Sequence, residues 1–358
     1  MKVKRVLSFD DVLIVPKYSE LETRKSIDIS VDHPRFNSSL SIPIVSSPMD
    51  SITESYMAST IDSVGGLGII HRYNSIQEQE NLVHRCYVAG ASNIGAAVGV
   101  TGDYRERAQT LVKAGANVIC IDVAHGHHKL MRKCLELLRK DLGSNIHIMA
   151  GNVATLEGFN DLSDWGADSI RVGIGGGSIC STRLQTGHGI PTFQSIIDCS
   201  RSDRDSLLIA DGGIKNSGDM VKALAAGADL LMCGSLLSGT NETPGKLIKK
   251  NGQLFKSFRG MGSVGAMNKG SADRYFQKKQ KDSSKYVPEG VEGFVKYKGD
   301  VGSIIYKLIG GLKSSMGYLG SKTIIKLRNK PQFVKITKAG FYESMVHNVD
   351  VVKNDSKY

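Results

Sequence analysis

A glycine-rich loop around a single cysteine is the most chemically suggestive stretch of this 358-residue sequence. In "RVGIGGGSICSTRLQTGHG" (171–189), three glycines follow a short apolar run, and Ser178, Ile179 and Cys180 come next. Backbone N–H groups in such a loop can stabilise a thiolate, which is the nucleophilic form of cysteine. We therefore expect Cys180 to attack an electrophilic carbon. The alternative is that Cys180 is a small buried residue, the common fate of a cysteine.

Glycine and small polar residues also follow other apolar runs of the chain. "ADGG" ends in Asp211, Gly212 and Gly213, and Gly234 and Ser235 follow "LLMC". Glycine N–H groups with a nearby hydroxyl are suited to phosphate, whereas Asp211 would repel it and fits a ribose hydroxyl. The three histidines of "HGHH" (125–128) could share a metal ion, but no third ligand has a defined spacing, so a polar rim is the favoured interpretation.

The elements that must position these residues repeat along the chain. Three segments share a helix end, a Gly-Ala pair, a polar residue and an apolar run, and five further apolar runs fit buried parallel strands. Eight alternating β and α units predict a (β/α)₈ barrel, whose active face lies at the carboxyl ends of the strands. A doubly wound open sheet is the alternative, but no G-x-G-x-x-G follows the first strand. The segments are 111–124, 162–174 and 223–235, and the runs are 42–48, 66–71, 93–100, 145–152 and 206–213.

Residues 246–330 break this repeat and are rich in glycine, serine and lysine. We interpret approximately 250–330 as a long mobile excursion within one catalytic domain (1–358), because a compact barrel tolerates such a segment mainly for function. The aromatic pair Tyr275 and Phe276 favours a lid over the alternative, a disordered insertion.

Composition narrows the function further. Apolar residues make up 41% and charged residues 23%, and no run approaches the roughly 18 to 20 apolar residues of a membrane span. The N-terminus lacks the pattern of a signal peptide, and six scattered cysteines without a C-x-x-C pair favour a cytoplasmic protein. The net charge of +11 suits an anionic small substrate. Nucleic acid is a less favoured partner, because no RNA-binding signature is present.

Several longer motifs make the chain resemble IMP dehydrogenases over nearly its whole length. The resemblance implies a (β/α)₈ barrel that oxidises IMP with NAD⁺ for guanine nucleotide synthesis. Most such enzymes carry a pair of regulatory CBS modules near the position of residues 86–92, where this chain has only "CYVAGAS", so we expect a form without them. The matching segments are "LSFDDVLIVP" (7–16), "SSPMDS" (46–51), "GNVAT" (151–155), "GIGGGSICSTR" (173–183), "ADGGIKNSGD" (210–219), "GSLLSGT" (234–240), "RGMGSVGAM" (259–267), "DRYFQ" (273–277) and "VPEGVEG" (287–293).

The resemblance also implies a two-stage mechanism. Cys180 attacks C2 of IMP, and a hydride leaves C2 for NAD⁺. Water then hydrolyses the covalent thioimidate to xanthosine monophosphate, with the lid in the place of the departed cofactor. Arg274 would activate the water, held by Tyr275 and Thr182, although an arginine pKa above about 12 makes it an unusual base. Thr182 and Glu289 would form a second proton route.

The same resemblance assigns binding roles to particular residues and implies a potassium-dependent homotetramer. The substrate-binding set is Ser47, Met49, Ser178, Asp211, Gly212, Gly213, Gly234, Ser235, Gly260, Met261, Gly262 and Glu289. The cofactor-binding set is Asp122, Val123, Ala124, Asn152 and Gly173. The K⁺ set is Gly175, Gly177 and Cys180, completed by Glu343, Ser344 and Met345 of a neighbouring subunit.

Some residues depart from the dehydrogenase pattern and keep a second function open. Val123 replaces a serine that touches the cofactor, Gly176 replaces Pro or Ser, and Phe258 replaces a tyrosine. "CIDVA" (120–124) resembles GMP reductases, which deaminate GMP with NADPH, but those lack the pair Arg274–Tyr275. A non-catalytic nucleotide- or RNA-binding protein on the same scaffold is the third interpretation, and it predicts loss of Cys180 or of the phosphate loops.

Overall fold

Eight parallel strands close into a barrel in the computed structural model, which describes residues 3–329 and 331–348. The first strand, β1 (Val12–Ile14), lies outside the barrel. Within the barrel, the last barrel strand pairs with the first barrel strand, and this pairing closes the sheet. The closure confirms the predicted (β/α)₈ barrel and excludes an open doubly wound sheet. The barrel strands are β2 (Ile44–Ser46), β3 (Leu67–Ile70), β4 (Ile94–Val98), β5 (Val118–Asp122), β6 (His147–Val153), β7 (Ser169–Val172), β8 (Leu207–Asp211) and β9 (Leu230–Cys233).

At least one helix follows each barrel strand, and one further short helix, Val264–Ala266, lies between two strands outside the barrel. The helices are α1 (Ser55–Ser63), α2 (Ile76–Val88), α3 (Tyr104–Lys113), α4 (Lys129–Leu142), α5 (Leu156–Asp164), α6 (Thr182–Thr186), α7 (Thr192–Cys199), α8 (Ser217–Ala226), α9 (Val264–Ala266), α10 (Val301–Tyr318), α11 (Ile324–Leu327) and α12 (Lys338–Glu343). Residues 89–93 connect α2 directly to β4, at the expected position of the CBS modules. Within the described residues, no helix combines the length and apolarity that crossing a membrane requires.

The repeated Gly-Ala pair ends a helix in the same way in all three copies. After α3, the N–H of Gly115 donates to the carbonyl of Val112, and the N–H of Ala116 donates to Leu111. These two bonds form a Schellman motif, which needs a positive φ at the glycine. The glycine φ is +116° at Gly115 and is also positive in the other two copies, Gly166 and Gly227.

The polar residue that follows Gly-Ala ties each new strand to the strand before it. Asn117 accepts a hydrogen bond of 2.7 Å from the backbone N–H of Ile94 through its side chain. Asp168 and Asp229 do the same for the strands β6 and β8, again at 2.7 Å. The repeat therefore fixes strand register at the amino-terminal end of the barrel, away from the predicted active face.

The segment after β9 contains both an excursion and the last barrel helix. Strands β10 (Ile248–Lys250), β11 (Gln253–Arg259) and β12 (Glu292–Lys296) form an antiparallel sheet, and residues 260–291 between β11 and β12 are called the flap below. The structure differs from the expectation beyond this point, because α10 packs against α8 and α1 and completes the helical ring. A short strand, β13 (Phe333–Lys335), returns to pair with β1.

Candidate active site

Cys180 lies in a cleft at the carboxyl ends of the barrel strands, in the loop between β7 and α6. Its Sγ is 3.2 Å from Oγ1 of Thr182, so the hydroxyl of Thr182 is within reach of the thiol. The residue is only partly buried. The loop thus presents the sulfur to the cleft rather than to the core, as the nucleophile interpretation requires.

The other five cysteines have a different environment. All of them are buried. Burial raises the pKa of Cys120 to about 11 and that of Cys199 and Cys233 to about 12. A thiol with so high a pKa is a poor nucleophile near neutral pH. Cys180 is therefore the cysteine best placed for covalent chemistry.

The end of the flap holds the cysteine loop in place, and the beginning of the flap supports that end. The N–H of Ser181 donates to the carbonyl of Glu289 at 2.9 Å, and the N–H of Val291 donates to Ile179 at 3.0 Å. The N–H of Glu289 donates in turn to Gly262 at 3.0 Å. A Cβ on Gly262 would lie 2.9 Å from Cζ of Tyr275, so only glycine allows this close approach. The beginning and end of the flap are thereby joined beside Cys180.

The glycines of three loops meet on one side of the cleft. A Cβ on Gly212 would lie 3.1 Å from the backbone nitrogen of Gly177, so the loops after β7 and β8 are in backbone contact. A Cβ on Gly234 would lie 3.3 Å from both Oγ of Ser47 and Sδ of Met49. Backbone groups brought this close make a concave surface of the kind that binds phosphate.

A buried carboxylate, Asp122, collects positive charge on the opposite side of the cleft. Arg171 and the flap residue Arg274 both form ion pairs with its Oδ1, and the hydroxyl of Tyr73 donates to Oδ2 at 3.1 Å. Burial would raise the pKa of Asp122, but the guanidinium groups of Arg274, Arg171 and Arg72 outweigh it and hold the pKa well below the ordinary value. The carboxylate is therefore ionised.

Arg274 is held in its charged form by the same contact. Burial works to lower its pKa, yet Asp122 raises the pKa of Arg274 well above the ordinary value. The carbonyl of Arg274 also accepts a hydrogen bond of 3.0 Å from the N–H of Ala124. Burial raises the pKa of the adjacent Tyr275 to about 12, so its hydroxyl is protonated. Arg274 thus lies against two residues of the predicted cofactor set, Asp122 and Ala124.

Arg171, which the sequence reasoning missed, bridges the two halves of the cleft. It pairs with Asp122 and, through Nη2 at 2.8 Å, with Oδ2 of Asp211. The side-chain amide of Asn152 also donates to Oδ2 of Asp211 at 2.8 Å. The sequence could have indicated Arg171, because it is the one charged residue in the apolar run "SIRVGI" and a buried strand carries arginine only where acids neutralise it.

The structure brings together most of the predicted site residues and leaves a few apart. Val123 is buried in the barrel core, and Gly262 lies beside Tyr275 and Glu289 without lining the cleft. Glu343 at the end of α12, with Ser344 and Met345 after it, is exposed, and these three residues do not line the cleft of their own chain. The predicted residues that line it are Ser47, Met49, Asp122, Ala124, Asn152, Gly173, Gly175, Gly177, Ser178, Cys180, Thr182, Asp211, Gly212, Gly213, Gly234, Ser235, Gly260, Met261, Arg274, Tyr275 and Glu289.

Side chains do not form a metal cluster in the described ranges, 3–329 and 331–348. His128 instead caps α4 by accepting from the N–H of Leu130 and packs on Phe276 of the flap, with ring centroids 4.9 Å apart. His127 contacts Asp161 at 2.8 Å. His127 and His128 thus make hydrogen-bond and ring contacts with α5, α4 and the flap.

The donor set predicted for potassium has the right chemistry for such an ion. It consists of backbone carbonyls, the neutral oxygen ligands that K⁺ prefers. The loop is shaped by Gly175, whose φ is +75°, and the carbonyl of Gly177 accepts the N–H of Cys180 at 3.1 Å. A carbonyl oxygen has a second lone pair, so this bond leaves Gly177 able to bind a cation.

Comparison with known proteins agrees with this geometry. The family model described as "IMP dehydrogenase / GMP reductase domain" matches residues 6–347. An inosine-5'-monophosphate dehydrogenase of Cryptosporidium parvum is 41% identical over 397 residues, covering 98% of this chain and 97% of the relative. One of Bacillus subtilis is 36% identical over 484 residues, covering 99% and 98%. One of Helicobacter pylori is 49% identical over 271 residues, covering 75% and 55%.

The alignment with the Bacillus subtilis relative is relevant to the CBS modules, which this chain was expected to lack. It extends over 484 residues, whereas this chain has 358, so the Bacillus subtilis relative contains residues without a counterpart here. The direct α2–β4 connection is consistent with a form that lacks the CBS modules. With a matching family model over nearly all its length and two relatives covered over 97% and 98% of their own length, the chain belongs to the IMP dehydrogenase / GMP reductase family.

Proposed function

We propose that this protein oxidises IMP to xanthosine monophosphate, with NAD⁺ as the hydride acceptor, through a covalent intermediate on Cys180. The observation that carries the proposal is the presence of Cys180, Thr182, Glu289 and the Arg274–Tyr275 pair in one cleft. The names of the relatives described above support the same reaction.

The substrate would lie between the glycine loops and Asp211. The backbone around Gly212, Gly234 and Ser235 would bind the phosphate, and Asp211 would accept hydrogen bonds from the ribose hydroxyls. Three donors, two from Arg171 and one from Asn152, already converge on Oδ2 of Asp211 and fix its orientation. The purine would then project towards Cys180.

In the first step the thiol of Cys180 loses its proton to solvent, its Sγ forms a bond to C2 of the purine, and the hydride on C2 departs. NAD⁺ accepts that hydride when it is bound. The residues proposed to hold it are Asp122, Ala124, Asn152 and Gly173. Oδ1 of Asn152 is buried without a hydrogen-bond partner in the described structure, and a polar group of the cofactor would satisfy it.

A potassium ion would stabilise the cysteine loop. The carbonyls of Gly175, Gly177 and Cys180 would hold the ion from one subunit. The remaining ligands would come from Glu343, Ser344 and Met345 of a second subunit in a tetramer.

The second step is hydrolysis, in which water adds to C2 and the thiol of Cys180 leaves. The position of Arg274 against Asp122 and Ala124 supports alternate use of one space by flap and cofactor. While the ion pair with Asp122 is intact, Arg274 is a cation that orients water but cannot take its proton. Proton removal by Arg274 therefore requires Asp122 to be drawn away, and Thr182 with Glu289 offers the second route.

The experiment is an assay of purified protein with IMP, NAD⁺ and K⁺, in which NADH formation is recorded beside a reaction with GMP and NADPH. NADH from IMP supports the dehydrogenase, whereas NADPH consumption with GMP would identify the rival reductase. Arg274→Ala should stop after hydride transfer, with the adduct on Cys180 visible by mass spectrometry. Cys180→Ala should form neither NADH nor adduct.

A further inference from the structure

An ion pair outside the cleft joins the barrel to the flap. Nη1 of Arg72, two residues after β3, is 2.8 Å from Oδ2 of Asp273, the flap residue that precedes Arg274. Nη2 of Arg72 also donates to the backbone carbonyl of Asp122 at 3.3 Å. One guanidinium group therefore contacts both the fixed rim of the barrel and the flap.

The barrel holds Arg72 ready for this contact. Its side chain is 7% exposed, against 33% for Asp273, and its guanidinium lies 5.1 Å from the centre of the Tyr73 ring. A Cβ on Gly99 would lie 3.1 Å from Nη1 of Arg72 and 3.2 Å from Oδ2 of Asp273, so a glycine provides the space for the pair. Movement of the flap would leave a mostly buried cation without its carboxylate, which is unfavourable.

We propose that Arg72 is a positioning residue that, through Asp273, sets how much of the time Arg274 and Tyr275 occupy the cleft. The proposal rests on the proposed function, in which the flap is out for hydride transfer and in for hydrolysis. Each chemical step then has a different dependence on the ion pair. Weakening the pair slows hydrolysis and leaves hydride transfer unchanged.

Arg72 and Asp273 are better probes of flap position than the contact between Arg274 and Asp122. Neither residue of the pair lines the cleft, whereas Asp122 is in the proposed cofactor site and Arg274 is in the hydrolytic machinery. Substitution of Asp122 would alter both steps together. Substitution of Arg72 or Asp273 changes the equilibrium between flap positions without removing a group that touches the substrate.

The kinetic test compares Arg72→Met, Asp273→Asn and the double variant with the wild type. Rapid mixing with IMP and NAD⁺ gives the rate of the first NADH turnover and then the steady-state rate. Assays at excess NAD⁺ give the extent of inhibition by NAD⁺, which competes with the flap for the same space. In Asp273→Asn, which leaves Arg72 on the carbonyl of Asp122, we expect an unchanged first turnover. In both single variants we expect a steady-state rate lower by about fivefold and NAD⁺ inhibition stronger by about the same factor. The double variant should be no worse than either single variant, because both remove one interaction.

A second measurement does not depend on catalysis. Trypsin cleavage within the lysine-rich part of the flap, 278–285, should be about fivefold faster in both single variants without substrate. Arg105→Met, which breaks an ion pair between the exposed Arg105 of α3 and Asp141 of α4, away from the flap, should match the wild type in every assay. If Arg72→Met and Asp273→Asn are cleaved by trypsin and inhibited by NAD⁺ to the same extent as the wild type, the proposal is overturned. If the wild type makes no NADH from IMP, the proposed function fails, while cleavage still tests the flap contact.

Discussion

Replacing Arg171 by methionine tests whether the charge network across the cleft also stabilises the fold. Arg171 has a side chain that is 4% exposed, and its partners Asp122 and Asp211 are 1% and 16% exposed. Methionine fills much of the same volume, so the main change is that the buried carboxylate of Asp122 and the partly buried carboxylate of Asp211 lose a shared cation. We expect a lower free energy of unfolding, measured by urea denaturation without ligands.

The magnitude follows from the burial of the three groups. Removing one partner of a buried ion pair costs about 3–5 kcal/mol. Arg274 and Arg72 still neutralise Asp122, and Asp211 is partly exposed, so we expect the lower limit, about 3 kcal/mol. For a chain of this length, that corresponds to a decrease of about 4 °C in Tm. Arg171→Lys should lose less, because lysine keeps the charge but cannot contact both carboxylates in the same way.

The structure offers a matched control on the surface. Arg204 also lies between two acids, Asp164 and Asp203, but its side chain is 35% exposed. Arg204→Met should leave the urea transition unchanged, because solvent screens exposed ion pairs. A loss for Arg171→Met of less than about 1 kcal/mol, or one equal to the loss for Arg204→Met, would refute the reasoning.

Three further predictions concern pH, thiols and backbone space. Burial, together with His33 and nearby arginines, holds the pKa of His147 in the folded protein well below 6.5. The unfolded chain takes up a proton at this histidine below about pH 6.5, so the free energy of unfolding should fall as the pH decreases below that value. Urea unfolding of His147→Gln should therefore show a weaker pH dependence than that of the wild type. Iodoacetamide should modify Cys180 in the native protein before the buried cysteines, as peptide mass spectrometry would show, and equal labelling of Cys120 would contradict this. Gly262→Ala should reduce turnover by about tenfold or more, because its Cβ would lie 2.9 Å from the Tyr275 ring; an unchanged rate of NADH formation would show that the flap adapts.

Local sequence patterns predicted the barrel because each of its units is specified by neighbouring residues. The run "NVICIDV" is apolar because β5 is buried on both faces, and Gly115 before it ends α3 with a positive φ. The position of Cys180 beyond β7 followed from the same reasoning, since the carboxyl ends of all barrel strands lie on one face.

Helix α10 shows where a local pattern was misleading. Its sequence contains Gly310 and Gly311, which normally disfavour a helix interior. The tertiary structure explains Gly311, because a Cβ there would lie 2.3 Å from Oγ of Ser217 in α8. Close packing between two helices outweighs the poor local propensity, and a single sequence does not reveal which helix will be the neighbour.

The sequence by itself determined the eight barrel strands with the helices between most of them, the glycine-ended helices, the cysteine loop and the family to which these motifs belong. Only the tertiary structure decided that Arg171 joins Asp122 to Asp211, that Tyr73 contacts Asp122, and that Arg72 pairs with Asp273, 201 positions away. Secondary structure depends on residues a few positions apart, which one sequence displays. Ion pairing between buried charges depends on distances that exist only after the barrel has closed.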